Sequence, residues 1–262
     1  MTGTPTLLAV SPPADGAMNF ARDDTLREQA RTAAGELIRL YSWEHPVVSF
    51  GRNEHTAGRF DPERLREAGL EAIRRPTGGR ALLHHRELTY AIAGPATADA
   101  TLRSTYDRLA LVIAGALRRL GIPATVSPPA RPGRLPEGAP CFATPSPGEI
   151  VVDERKLVAS AQWREGGAYL QHGSILIDDD QALLAAGLTE GLSLPAVPPA
   201  ATLRAILGRA PSLGELADAL ASEIAERSGV APIRMAPDSL IPDAVARARA
   251  EHYRDPAWTW RR

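Results

Sequence analysis

Glu149-Ile150-Val151-Val152-Asp153-Glu154-Arg155-Lys156-Leu157-Val158-Ala159-Ser160-Ala161-Gln162 is the stretch that decides the fold. Glu149 to Val152 and Lys156 to Ala161 are apolar, β-branched runs around a polar Asp153-Glu154-Arg155, the pattern of a β-hairpin with a short loop. Lys156 is thereby expected on a strand, a rigid support for a catalytic group. Fifteen residues before it stands Cys141, the only cysteine of the chain. Thiolate is the nucleophilic form of cysteine, and a nearby ammonium lowers the thiol pKa from its ordinary value of about 8.5. Acyl transfer through a thioester is therefore the first hypothesis, and an inert, buried Cys141 is the alternative. Proline composition favours the former. Pro123, Pro128, Pro129, Pro132, Pro136 and Pro140 precede the cysteine, and Pro145 and Pro147 follow. Such a segment neither continues a helix nor pairs inside a sheet, so 123–148 is expected to be a surface loop at the active site.

Working outward, Tyr169 to Ile177 reads as another strand. Upstream, Val47 to Phe50 and Leu40 to Trp43 read as strands around a turn at Glu44-His45-Pro46, and Leu70 to Arg74, Ala81 to His84 and Leu88 to Ala93 as three more. Asn19 to Leu40 has the spacing of a helix, after a start that carries no clear pattern. Asp61-Pro62-Glu63 opens a short helix with a capping aspartate and proline at its first position, ending near Gly69. Leu109, Val112, Ile113, Ala116, Leu117 and Leu120 form a buried helical stripe closed by Gly121. The last third reads as helical, with a capping box at Ser212-Leu213-Gly214-Glu215. No repeat or long linker interrupts the chain, so one mixed α+β domain over residues 1–262 is expected, a β-sheet core flanked by helices.

Composition narrows the function classes. Thirty basic and thirty-one acidic residues leave a net charge of -1, so no global field draws the chain to nucleic acid or membrane. With one cysteine there is no internal disulfide, and no signal peptide or long apolar run appears; a cytoplasmic location is expected. The six histidines show no metal-ligand spacing, and there is neither a phosphate-binding lysine loop nor a dinucleotide fingerprint. His84 and His85, adjacent on a strand, point to opposite faces.

Arg74-Arg75-Pro76-Thr77-Gly78-Gly79-Arg80-Ala81 places two glycines between arginines. Backbone amides can approach a ligand there while the guanidinium groups hold a phosphate or carboxylate; an exposed turn with solvated arginines is the competing reading. Gly173, in Gln171-His172-Gly173-Ser174, lies inside a strand pattern, where glycine marks close approach of a ligand or another chain segment.

Three ordered motifs, Arg75 to Ala81 with His84, Lys156 to Gln162, and Leu170 to Leu176, together resemble the lipoate ligase and octanoyltransferase superfamily. Cys141-Phe142 before the hairpin, Glu87-Leu88-Thr89-Tyr90, and Gln171-His172-Gly173-Ser174 are similar to the cysteine-dependent octanoyltransferases of the LipM type and the related amidotransferases. The resemblance implies the catalytic-domain fold shared with biotin protein ligases. It implies transfer of an octanoyl group from acyl carrier protein to a lysine of a lipoyl domain, such as the glycine cleavage H protein. Cys141 would be the acylated nucleophile and Lys156 its partner. Arg75, Gly78, Gly79, His84, Ser160, Gln162, His172 and Gly173 would bind substrate, with no cofactor and no metal. Two positions depart from the pattern: His85 stands where an aspartate is common, and Ala159 where a glycine is common. The alternatives are an ATP- and magnesium-dependent lipoate or octanoate ligase, in which Arg75 and Lys156 hold an acyl-adenylate, a lipoyl-domain amidotransferase, and a non-catalytic lipoyl-domain binder.

Overall fold

Leu7–Val10 (β1) begins a computed structural model that describes residues 5–97, 99–128 and 140–262. Helix Gly16–Ala30 (α1) follows, capped by Asp15, whose side chain accepts from the Met18 amide. Then come Leu37–Tyr41 (β2), Val47–Phe50 (β3), Pro62–Glu67 (α2), Glu71–Arg74 (β4), Leu82–His84 (β5) and Glu87–Pro95 (β6). Leu102–Arg119 (α3), Thr125–Val126 (β7), Ile150–Val152 (β8), Arg155–Glu165 (β9) and Ala168–Leu176 (β10) make up the centre. The last third holds Leu203–Leu207 (α4), Leu213–Ser228 (α5), Ile233–Arg234 (β11), Pro237–Leu240 (α6), Asp243–Arg254 (α7) and Pro256–Thr259 (α8).

Eight strands form one mixed sheet in the order β11-β1-β2-β6-β10-β9-β8-β7, and β4-β3-β5 form a second, smaller sheet. Strand β1 runs parallel to both neighbours, whereas β2, β6, β10, β9, β8 and β7 pair antiparallel in turn. Period-two alternation sends side chains to two cores. Leu88, Tyr90 and Ile92 of β6 pack with Leu109, Ile113 and Leu117 of α3 and Leu216 and Leu220 of α5. Ala91 and Ala93 of the same strand face Phe20 and Leu26 of α1 and Ala246 and Ala250 of α7. The sheet flanked by helices is the expected architecture.

Three boundaries differ from the sequence reading. The helix expected from Asn19 to Leu40 ends at Ala30, and Leu37-Ile38-Arg39-Leu40-Tyr41 is a buried strand. Leu37 and Tyr41 serve one core and Ile38 and Leu40 the other, a two-sided burial that mimics helical spacing. The featureless start contains β1, a short apolar run enclosed by parallel partners. The strands expected around Glu44-His45-Pro46 do not pair: β2 belongs to the large sheet and β3 to the small one. The other expected strands and helices stand within a few residues of their expected places, and the Ser212–Glu215 capping box is formed. Of the expected loop 123–148, residues 129–139 lie outside the described residues.

One buried polar cluster stitches α1 to the sheet. Asp23 on α1 and Arg39 on β2, both fully buried, pair at 2.9 Å. The Asp23 carboxylate also accepts from Tyr41 Oη (2.8 Å) and bonds His172 Nδ1 on β10 (2.9 Å), while Arg39 bonds Asn19 Oδ1 and Ser11 Oγ. Removing one member strands the other in a low dielectric. Asp23→Ala is expected to cost about 3–5 kcal/mol in urea denaturation. Glu63→Ala, which breaks only the exposed Glu63–Arg66 pair, should leave the midpoint close to wild type.

Candidate active site

The expected β8–β9 hairpin turns through Asp153 (φ 48°) and Glu154 (φ 61°), two residues of positive φ as a tight hairpin turn requires. Register then shifts: Ile150 faces Val158 and Val151 faces Lys156. Such a bulge re-aims side chains, and here Lys156 points into the interior, 2% exposed. Its ammonium has three N–H bonds and three acceptors: Glu149 Oε1 at 2.6 Å, Cys141 O at 2.7 Å and Cys141 Sγ at 3.8 Å. Glu149 in turn accepts from the Ser146 amide at 2.6 Å. The sequence placed Cys141 and Lys156 together but missed Glu149, read there only as the first residue of a strand. Its one available signal was a carboxylate across a hairpin from a lysine destined for burial.

Cys141 is half-buried, and its amide donates to the Ala81 carbonyl at 3.1 Å, which ties the cysteine segment to the end of the glycine loop. The thiol stands in the wall of a partly open pocket of about 390 Å³. Phe20, Tyr41, Leu82, Ala159 and Ala161 supply apolar surface. Of the residues expected to bind substrate, Arg75, Gly79, His84, Ser160, His172 and Gly173 also line it, whereas Gly78 and Gln162 do not. Gln162 is turned toward Gln171, 3.3 Å from its side-chain oxygen. Gly78 is exposed and offers its carbonyl to Arg75.

Arg75 lines the pocket but is bonded within its own loop. All five of its N–H bonds are spent on the chain itself: Ser49 O and Oγ (2.9 Å each), Gly78 O twice (3.1 and 3.0 Å) and Arg80 O (2.8 Å). The guanidinium is a staple inside the glycine loop. Burial lowers its pKa, against the attraction of Cys141 and Glu54. Gly79, at φ 103°, allows the turn, and a methyl group on Gly51 would fall 2.0 Å from the Gly79 carbonyl. The Gly51 and Ala81 amides donate to Glu54 at 3.0 and 2.9 Å.

The histidines are walls. His172 joins Asp23 through Nδ1 and Thr77 Oγ1 through Nε2 (2.6 Å), linking the α1 cluster to the glycine loop. Arg75 donates to Ser49 Oγ, so the Ser49 hydroxyl proton is free for His84 Nε2 (2.8 Å), and His84 Nδ1–H points to Glu87 Oε1 (2.9 Å). The ring stacks on Trp43 at 4.1 Å. His85 turns the other way to Asp180 at 3.0 Å, outside the pocket, while Ala159 lines the pocket directly. Gly173 faces Tyr90 across the strand pair, and a methyl group there would meet the Tyr90 ring at 2.6 Å. That ring holds Ser160 Oγ by its hydroxyl at 2.7 Å.

A family model, the lipoyl protein ligase A/B catalytic domain, matches residues 15–225, which include all these groups. The chain belongs to this family. Among curated relatives, the octanoyltransferase LipM of Kyrpidia tusciae is 34% identical, covering 94% of this chain and 95% of its own. That of Symbiobacterium thermophilum is 35% identical over 82% and 83%. Among solved structures, a lipoate-protein ligase A bound with ATP superposes with a TM-score of 0.74 at 22% identity, covering 99% of each chain. A bipartite lipoate protein ligase from Thermoplasma acidophilum, described with its E2 lipoyl domain, gives 0.74 at 19% identity over 98% and 96%. At such identities the structural likeness establishes the fold. Among the described residues no helix is long and apolar enough to cross a membrane.

Burial pushes the His84 pKa below its ordinary 6.5, against the pull of Glu87. The unfolded chain then binds a proton that the folded chain refuses, so stability falls as pH drops below about 6.5 toward the folded value. Chemical denaturation between pH 7.5 and 5 should show this slope, and His84→Gln should flatten it.

Proposed function

We propose that the chain is an octanoyltransferase of lipoate biosynthesis that carries the octanoyl group on Cys141. The observation that carries this reading is the thiol in the wall of an apolar pocket with the Lys156 ammonium 3.8 Å from its sulfur. In the first step the Cys141 thiolate adds to the thioester carbonyl of octanoyl-acyl carrier protein and expels the carrier thiolate; one thioester replaces another, so no energy source is needed. In the second, a lysine amine of a lipoyl domain attacks the acyl-cysteine, an amide forms, and the Cys141 thiolate leaves. The acceptor amine must first lose a proton from a pKa near 10.4, and desolvation at the mouth of an apolar pocket favours the neutral form. Lys156 would donate to the oxyanion of either intermediate with the N–H bond now directed at the sulfur. No cofactor is required.

The names of the relatives support this activity, and the lipoyl domain in the Thermoplasma system supports the acceptor class. The ATP-dependent ligase reading is favoured by the shared fold. Against it stands the occupation of Arg75 by its own loop and of the Gly51 and Ala81 amides by Glu54. We place the enzyme in the cytoplasm, where its acyl donor and a lone reduced thiol coexist.

Mixing the protein with octanoyl-carrier protein in nucleotide-free buffer should add one octanoyl group by intact mass, absent in Cys141→Ala. Adding a lipoyl domain should discharge the adduct onto the acceptor. Lys156→Ala should slow acylation by roughly 10²–10³-fold, the loss typical of one oxyanion donor. No adduct, together with use of free octanoate only when ATP is present, selects the ligase.

A further inference from the structure

A second cleft, about 480 Å³, abuts the nucleophile's own segment. Its inner wall is Pro140, the residue before Cys141, and Ala81, whose carbonyl receives the Cys141 amide. Leu194 adds apolar surface, and Arg59, Arg80 and His55 bring cationic or protonatable groups into the same space. The Arg80 guanidinium makes no hydrogen bond or ion pair with any described residue, and of the arginines of which that holds it is the one that lines this cleft. The one carboxylate in the cleft, Glu54, is compensated from within. Its oxygens accept the Gly51 and Ala81 amides, and the buried Arg74 and Arg75 attract it from behind. The cleft thus presents the N–H donors of Arg80 beside apolar surface that includes Pro140, the neighbour of Cys141.

A ligand that fits has an acyl thioester at one end, an uncharged stem, and an anion at the other. We propose that this cleft receives the phosphodiester of the phosphopantetheine arm that presents the octanoyl thioester to Cys141, with Arg80 as its anion-binding group. The inference rests on the transfer reading and adds to it the route by which the donor enters, along Pro140 and Leu194. Guanidinium suits a phosphate because its planar fork matches two oxygens at once.

Two synthetic donors, octanoyl-4′-phosphopantetheine and octanoyl-pantetheine, differ only in the phosphate. The second-order rate constant for octanoylation of Cys141, followed by intact mass on the full chain, should favour the phosphorylated donor by about tenfold or more in the wild type. That ratio should fall toward one in Arg80→Ala and be partly kept in Arg80→Lys, with folding of both variants checked by circular dichroism. A ratio near one in the wild type, or one that Arg80→Ala leaves unchanged, overturns the proposal while the transfer reading stands. AMP is the control for a nucleotide phosphate. If AMP slows octanoylation in the wild type but not in Arg80→Ala, and the two donors react alike, the cleft belongs to a nucleotide and the proposal fails. Octanoylation from neither donor overturns the transfer reading itself, and this inference with it.

Discussion

The Asp23 carboxylate is the constraint on which the rest of the structure depends. It is fully buried on α1 and accepts at once from β2, through Arg39 and Tyr41, and from β10, through His172. A buried carboxylate is tolerable only when its lone pairs are filled, so each donor must hold its place. His172 passes the order on: its far nitrogen fixes Thr77, and Thr77 O takes the Arg52 amide. The small sheet and the glycine loop are thereby referred to the same origin as the central strands. Arg39 also lies over the Tyr41 ring at 3.7 Å, so the guanidinium is packed on its face as well as bonded at its edge.

From that origin the pocket is built by two kinds of device. Polar chains, Ser49–His84–Glu87 and Asp23–His172–Thr77, make their hydrogen bonds within the walls, with Glu87 Oε2 left without a partner among the described residues. Ser174 and Trp43 also donate to Glu87 Oε1, at 2.7 and 2.9 Å. Glycine supplies the room: Gly173 admits the Tyr90 ring, and Gly51 lets β3 run against the carbonyl of Gly79. The departure at Ala159 sits in this lumen as one added methyl group relative to glycine.

Much of this was legible in the sequence because local pattern and tertiary role agreed. The β8–β9 hairpin, the α3 stripe and the α5 capping box each stand where periodicity and end signals put them. The failures came where burial on both sides erased the pattern: β2 alternates between two cores and β1 lies between parallel partners. At the site, the nearness of Cys141 and Lys156 was legible, since a thiol and an amine are rare in this chain. Arg75 was not legible as a staple. Its sequence context is the same whether its five N–H bonds reach a phosphate or its own loop, and only the fold decides. Glu149 and Asp23 escaped for a related reason: a carboxylate is common, and what distinguishes these two is burial beside a cation 7 and 16 residues away.

If Cys141 carries the acyl group as proposed, the Lys156–Glu149 pair resolves a conflict that a thioester creates in a buried site. A cysteine that cycles between thiolate and neutral acyl-cysteine changes the local charge by one unit at each turn. Were Lys156 paired only with the sulfur, acylation would leave a buried ammonium without a counter-ion, which costs several kcal/mol by the usual penalty of about 3–5 for a broken buried pair. Glu149 at 2.6 Å keeps the ammonium paired in both states, while the third N–H bond remains directed at the sulfur. In the proposed transfer the cation would keep its place for the oxyanion without its stability depending on the state of the thiol. Arg75 follows the same rule, its charge dispersed over four backbone carbonyl bonds and a hydroxyl rather than balanced by the nucleophile. Positive groups that are satisfied independently of the reacting atom can stay fixed while its charge comes and goes, which is the preorganisation that the proposed two-step transfer would demand.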